Sequence, residues 1–202
     1  MEVQRVFLDA NILFSKTLRD WFFMLRMETG GNMFTVITSE DALVEAQYSF
    51  RKRNPEVSGR VVTNIRKKTA EFCDDVIEDY PGKASGPFLD RYDLHIHSAA
   101  LASGCHMLVT QDKGFLDLPD EQKDELAYEI LSPDEFFLLL DDSASQFVSS
   151  VTKQQSAYWM KKRSDGKALS GMSLESALRK SGCPKFATRV RKHLKDLAGA
   201  SN

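Results

Sequence analysis

The strongest constraint on this chain is a set of short apolar runs, far apart, with longer stretches of helical periodicity between them. Val3, Val6, Phe7 and Leu8 run into Asp9-Ala10-Asn11. Phe34-Thr-Val-Ile37 and Met107-Leu-Val-Thr110 repeat the pattern, and Tyr128-Glu-Ile-Leu131 does so less cleanly. Each run has the length of a strand, and none is followed by a two-residue hairpin turn. Apolar residues at helical spacing (Leu13, Leu18, Phe22, Leu25) predict a helix over 12–27. Further helices are predicted over 39–53, 55–79 and Asp93–Ser103, the last closed by Gly104. Short apolar strands alternating with helices predict an α/β fold with a parallel sheet, because parallel strands need crossovers and these helices supply them. The expectation is four to five parallel strands flanked by helices.

Pro81 to Pro87 is a loop by composition. Ser132-Pro-Asp-Glu135 then opens a new helix: Ser132 can cap it, Pro133 suits the first helical position and Glu135 completes a capping box. The pattern stays helical to the end. Ser173 is a second N-cap, and Gly182 followed by Pro184 marks a stop and restart. Phe186, Val190, Leu194 and Leu197 form one apolar stripe, with Arg189, Arg191, Lys192 and Lys195 mostly off it. The reading divides the chain into an α/β domain over 1–131 and a helical C-terminal extension over 132–202.

At 202 residues the chain suits one domain, or one domain with an appended piece. Its 42% hydrophobic and 28% charged residues exclude a disordered chain, a collagen and a disulfide scaffold. Cys73, Cys105 and Cys183 are widely spaced and form no CxxC, which points to a reducing cytoplasm. No apolar leader is visible near Met1, and the longest apolar runs fall far short of the roughly 20 residues of a membrane helix. The net charge of −2 hides an asymmetry. Residues 151–202 carry 12 Lys and Arg against 3 Asp and Glu; residues 1–150 carry 15 against 26.

Four carboxylates are candidates for chemistry. Asp9 is the first polar residue after the first strand, and Asp112 lies two residues after Thr110. If the strands are parallel, both reach the same rim, where ligands of open parallel sheets bind. Asp93 begins the helix that feeds the strand before Asp112, and Glu45 lies in the helix after Phe34–Ile37. Four like charges brought together need protons or cations to neutralise them. Oxygen donors without Cys or an obligatory His favour Mg²⁺ or Mn²⁺ over Zn²⁺, an arrangement suited to phosphodiester hydrolysis. Singly, each acid is ordinary as a turn, cap or surface residue; the functional case rests on the four together.

Their order carries a resemblance. Val6-Phe-Leu-Asp9-Ala-Asn11-Ile-Leu13-Phe-Ser15 resembles the opening of a PIN domain, the nuclease fold of VapC-type toxins. Thr38-Ser39 through Leu43-Val-Glu45 resembles its second motif. Asp90-Arg-Tyr-Asp93-Leu-His95, Ala99-Ala100, Gly104 and Leu108-Val-Thr110-Gln-Asp112, with Phe115 behind, resemble the third and fourth. The extension resembles the tail of one subgroup of toxin-like PIN proteins. The resemblance implies a metal-dependent endoribonuclease, the toxin of a toxin–antitoxin pair. Asp9, Glu45, Asp93 and Asp112 would be its catalytic and metal-binding acids, and Asn11, Thr110, Asp90 and His95 would support them. It also implies a cognate antitoxin that inserts a basic side chain among the acids, and a possible homodimer.

An acidic nuclease pocket needs cations nearby to hold phosphates. Lys113, beside Asp112, is the leading candidate, followed by Arg51-Lys52-Arg53 and the tail residues Arg189 and Lys192. Arg66-Lys-Lys68 reads as a solvated helix face, and Lys161-Lys-Arg163 is a weaker candidate. His95 and His97 do not face each other on a helix, which argues against a shared metal. Trp21, Phe22 and Phe23 read as core. Two rival readings remain: a non-catalytic PIN-like scaffold that binds RNA or protein, and a haloacid-dehalogenase-like phosphotransferase, against which Asn11 counts where that chemistry needs a second Asp.

Overall fold

The computed structural model describes residues 2–82, 94–164 and 173–199. Five strands, β1 (Gln4–Leu8), β2 (Phe34–Ser39), β3 (Asp75–Ile77), β4 (Met107–Val109) and β5 (Glu129–Leu131), form one sheet in the order β3-β2-β1-β4-β5. Every neighbouring pair is parallel. β1 is central, and Val6, Phe7 and Leu8 are fully buried in succession. This unbroken burial is what a strand with helices on both faces requires, and it is why the run shows no polar alternation.

The crossovers are α1 (Ala10–Phe14), α2 (Lys16–Glu28), α3 (Glu40–Arg53), α4 (Gly59–Phe72) and α5 (Leu94–Ser103). Two short helices, α6 (Lys113–Leu116) and α7 (Asp120–Asp124), precede β5. α8 (Pro133–Ser164) is kinked at Ala144, and α9 (Leu174–Lys180) and α10 (Pro184–Gly199) follow. The capping signals act as the sequence predicts. The Ser132 hydroxyl accepts from the Glu135 amide while the Glu135 carboxylate accepts from the Ser132 amide. Ser173 and Ser176 close a reciprocal box at the start of α9. Gly182, with φ +80°, ends α9 as the Cys183 amide reaches back to the Leu178 carbonyl.

Two segments depart from the sequence reading. The helix expected over 55–79 stops at Phe72, and 75–77 is the edge strand β3. Asp74 makes the switch: its backbone amide donates to the Val36 carbonyl, and its carboxylate accepts from the Val36 amide and pairs with Arg26. A three-residue edge strand is too short to show a period of two. The helix expected over 12–27 is two helices, because Ser15 leaves the helical conformation to cap α2 through the Leu18 amide.

The extension shares its core with the sheet-bearing part. Trp21 and Phe22 of α2 meet Phe137 of α8 at ring-centroid distances of 6.2 and 4.6 Å, and Trp21 meets Phe186 of α10 edge-on at 5.0 Å. Phe136 packs against Phe34 of β2. Phe186 and Val190 are fully buried, as the stripe predicts. Among the described residues no helix is long and apolar enough to cross a membrane.

Candidate active site

Asp9 stands one residue past β1, and its amide donates to the Val109 carbonyl at the end of β4. Because the two strands are parallel, their carboxyl ends place Asp9 and Thr110 at one rim. Asp9 is buried, only 5% exposed. Its Oδ1 accepts the Ala10 amide (2.6 Å), which starts α1. Its Oδ2 accepts the Thr110 hydroxyl (2.5 Å) and Asn11 Nδ2 (2.5 Å). The Thr110 oxygen in turn accepts the Asp112 amide (2.9 Å) and Asn11 Nδ2 (3.1 Å), and Asn11 Oδ1 accepts the Gln111 amide (3.0 Å). Donors and acceptors balance: Thr110 gives its one proton to the carboxylate and takes two on its lone pairs. Asp9 is thereby fixed by residues about 100 positions away.

Burial pushes the Asp9 carboxyl up to about 6 from its ordinary 3.8. The Thr110 and Ala10 hydrogen bonds oppose the rise, and the negative charges of Glu45 and Asp112 add to it. Glu45 and Asp112 thus both act on Asp9. Glu45 projects from α3 with 54% of its side chain exposed, and its Oε2 lies 3.7 Å from His95 Nε2 on the first turn of α5. Asp112 caps α6, its Oδ1 accepting the Gly114 amide at 2.6 Å. Asp93 and Asp90 lie outside the described residues.

Among the described residues, no group of three or more His, Cys, Asp or Glu lies close enough to hold a metal ion. The donor chemistry nonetheless fits a hard cation. The donors are carboxylate oxygens, and Mg²⁺ keeps most of its waters and needs only one or two such ligands directly. A carboxylate held ionised against burial and two like charges is also one that a nearby cation would relieve. His97 does not join His95: its Nδ1 pairs with the buried Tyr128 hydroxyl at 2.7 Å.

The basic candidates divide by their surroundings. Lys113 is exposed and directly follows Asp112. Lys52 is exposed on α3, while Arg51 donates to the Pro55 and Val57 carbonyls and Arg53 lies over the Phe14 ring at 4.8 Å. Arg66 pairs with Glu40. Arg189 is engaged at the α8–α10 contact with Asp142 (2.8 Å) and Asp141 (3.7 Å), and Lys192 is exposed further along α10. The side chains of Lys162 and Arg163 lie outside the described set. Sequence reasoning missed Gln111. Its amide holds Asn11 and its side-chain Nε2 donates to the Ser181 carbonyl at 2.9 Å. A lone glutamine after a strand gives no pattern signal, because its role comes entirely from a contact 70 residues away.

A family model described as the PIN domain matches residues 5–114. No curated protein and no solved structure gives a significant match to the chain. The matched stretch runs from β1 to the first turn of α6, and it takes in Asp9, Glu45, Asp93 and Asp112. With more than half of its length matched, and with a five-stranded parallel sheet to carry the match, the chain belongs to the PIN-domain family.

Proposed function

We propose that this protein is a Mg²⁺- or Mn²⁺-dependent endoribonuclease that hydrolyses RNA phosphodiester bonds. PIN domains are typically nucleases. The observation that carries the proposal is the state of Asp9: buried, clamped by Thr110 and Asn11, and in the field of Glu45 and Asp112. A carboxylate whose pKa is shifted by burial and by specific charge partners at a strand end is a functional-site candidate. When bound, a divalent ion supplies Lewis-acid chemistry, lowering the pKa of a water and offsetting phosphate charge.

In this reading Asp9 and Asp112 hold the ion, and Glu45 completes the acidic wall. Asp93 takes the place of the family's third acid, with Asp90 in support. Asn11 and Thr110 keep the Asp9 carboxylate in one orientation. His95 steadies Glu45, and Lys113 contacts the phosphate backbone. The sequence resemblance supports a toxin role in the cytoplasm, with a cognate antitoxin and a homodimeric form.

The test is cleavage of a mixed-sequence RNA by the full chain with Mn²⁺ or Mg²⁺, against EDTA and against Asp9→Asn. Metal-dependent cutting by the wild type that the variant loses is the expected result. Equal cutting by both assigns the activity to a contaminant. RNA binding without cutting in any metal leaves the non-catalytic scaffold. Asn11 disfavours the phosphotransferase rival, because its amide donates to Asp9 where that chemistry needs an acid.

A further inference from the structure

The C-terminal extension touches the rim of the candidate site at one place. The turn between α9 and α10 lies against Gln111, whose Nε2 donates to the Ser181 carbonyl at 2.9 Å. The approach is so close that a Cβ on Gly182 would stand 2.5 Å from Gln111 Nε2. Gln111 is bonded to Asn11 and is the neighbour of Asp112, so the turn sits next to the acids. A second tie fixes its orientation. Buried Asp134, at the start of α8, accepts the amides of Lys185 and Phe186 at 3.1 and 2.8 Å. The N-terminus of α10 is thus anchored near the carboxyl end of β5.

Lysines and arginines of the extension behave differently. Arg179 and Arg191 pair with Glu175, and Arg189 with Asp142 and Asp141. Arg191 ties α10 to α9 and Arg189 ties α10 to α8, while Arg179 pairs within α9 and reaches Thr188 of α10. Lys180 and Lys185 flank the turn, are exposed, and form no ion pair among the described residues. Lys185 acts at a distance on Glu135, whose carboxylate also accepts from Ser132 and feels Lys123. Lys113, two residues after Gln111, is exposed as well. Lys67 and Lys68, equally basic, are exposed on α4, outside the extension.

We propose that the α9–α10 turn forms one wall of the RNA groove, with Lys180 and Lys185 holding backbone phosphates on the side of the acids marked by Lys113. The proposal rests on the ribonuclease reading and adds the binding surface that reading lacks. It also gives part of the basic balance of residues 151–202 a location: Arg179, Arg189 and Arg191 hold the extension together, and the two lysines at its turn face the substrate. The recognition is of phosphate charge, so it is independent of sequence.

The experiment uses the full chain and a single-stranded RNA oligonucleotide of mixed sequence. Binding is measured in EDTA over a range of salt, and cleavage separately with Mn²⁺. Lys180→Ala/Lys185→Ala is compared with Lys67→Ala/Lys68→Ala, which removes the same charge from the solvated face of α4. The expected result is that only the first pair weakens binding, by about 10-fold or more at low salt. Its log K against log salt slope also becomes shallower by about 1.4, at roughly 0.7 per phosphate on a single strand. An unchanged slope in that pair, or an equal loss in both pairs, overturns the proposal while metal-dependent cleavage by the wild type leaves the ribonuclease reading standing. A wild type that neither binds nor cuts the RNA overturns both.

Discussion

The Thr110 hydroxyl donates to Asp9 Oδ2 across the β1–β4 junction, joining residues 101 positions apart in a bond of 2.5 Å. This contact opposes the burial that would otherwise raise the Asp9 carboxyl further. Thr110→Val keeps the shape and removes both the donor to Asp9 and the acceptor of the Asp112 amide and Asn11 Nδ2. The expected result is a higher Asp9 pKa, by about one to two units if the bond is worth 1.5–3 kcal/mol to the ionised group. The acid limb of the pH–rate profile then moves upward, with folding retained by circular dichroism. An unmoved limb would show that Asp9 ionisation does not govern activity.

Asp9 also sets a pH dependence of stability. Its folded pKa, about 6, lies above the ordinary 3.8. Its favourable contribution is therefore complete below about pH 3.8 and is lost as pH rises through 6. In the metal-free protein, the ionisation of Asp9 is a larger burden at pH 7.5 than at pH 5. Mg²⁺ or Mn²⁺ is expected to raise Tm more at pH 7.5 than at pH 5, because only the carboxylate binds the ion. A thermal-shift series in both metals and in EDTA checks this; equal shifts at the two pH values would place the ion elsewhere.

Asp112 has two duties that one substitution separates. It caps α6 through the Gly114 amide, and it contributes negative charge beside Asp9. Asp112→Asn keeps an oxygen for the cap and removes the charge. The expected outcome is a change in Tm of a degree or two with RNA cleavage reduced more than about 100-fold, beyond the 10–100-fold typical of residues that only orient a metal's ligands. Full activity in a folded variant would remove Asp112 from the site.

Phe186 carries the docking of the extension. It is fully buried, with Trp21 at 5.0 Å and Phe137 at 4.8 Å between ring centroids. Phe186→Ala is expected to cost about 3–5 kcal/mol in urea unfolding, the range for a buried aromatic truncated to alanine. The residues around it belong to α2 and α8 as well as α10, so a single transition at a lower midpoint is expected. Two separate transitions would show that the extension unfolds by itself.

Gly182 should resist replacement for two independent reasons. Its φ is +80°, and a methyl group would meet Gln111 Nε2. Gly182→Ala is expected to lose about 1–2 kcal/mol from the left-handed conformation. It should also break the Gln111–Ser181 bond. Denaturant titration reads the first effect, and a loss of RNA affinity with metal binding retained reads the second.

The amino-acid sequence determined the alternation of strand and helix, the parallel sheet, the caps at Ser132 and Ser173, and the stop at Gly182. These depend on local periodicity and on which residues satisfy helix ends, and both are written within a few positions. It also placed Asp9 and Asp112 at strand ends, which is enough to put them on one rim once the strands are parallel. The tertiary structure decided what no local pattern encodes. The edge strand β3 exists because Asp74 binds the Val36 backbone and Arg26. The elevated carboxyl of Asp9 exists because burial and two acids from other elements act on it together. Gln111 matters because a turn 70 residues later is packed on it. Long-range electrostatics and backbone contacts depend on distances in space, and a linear spacing does not contain them.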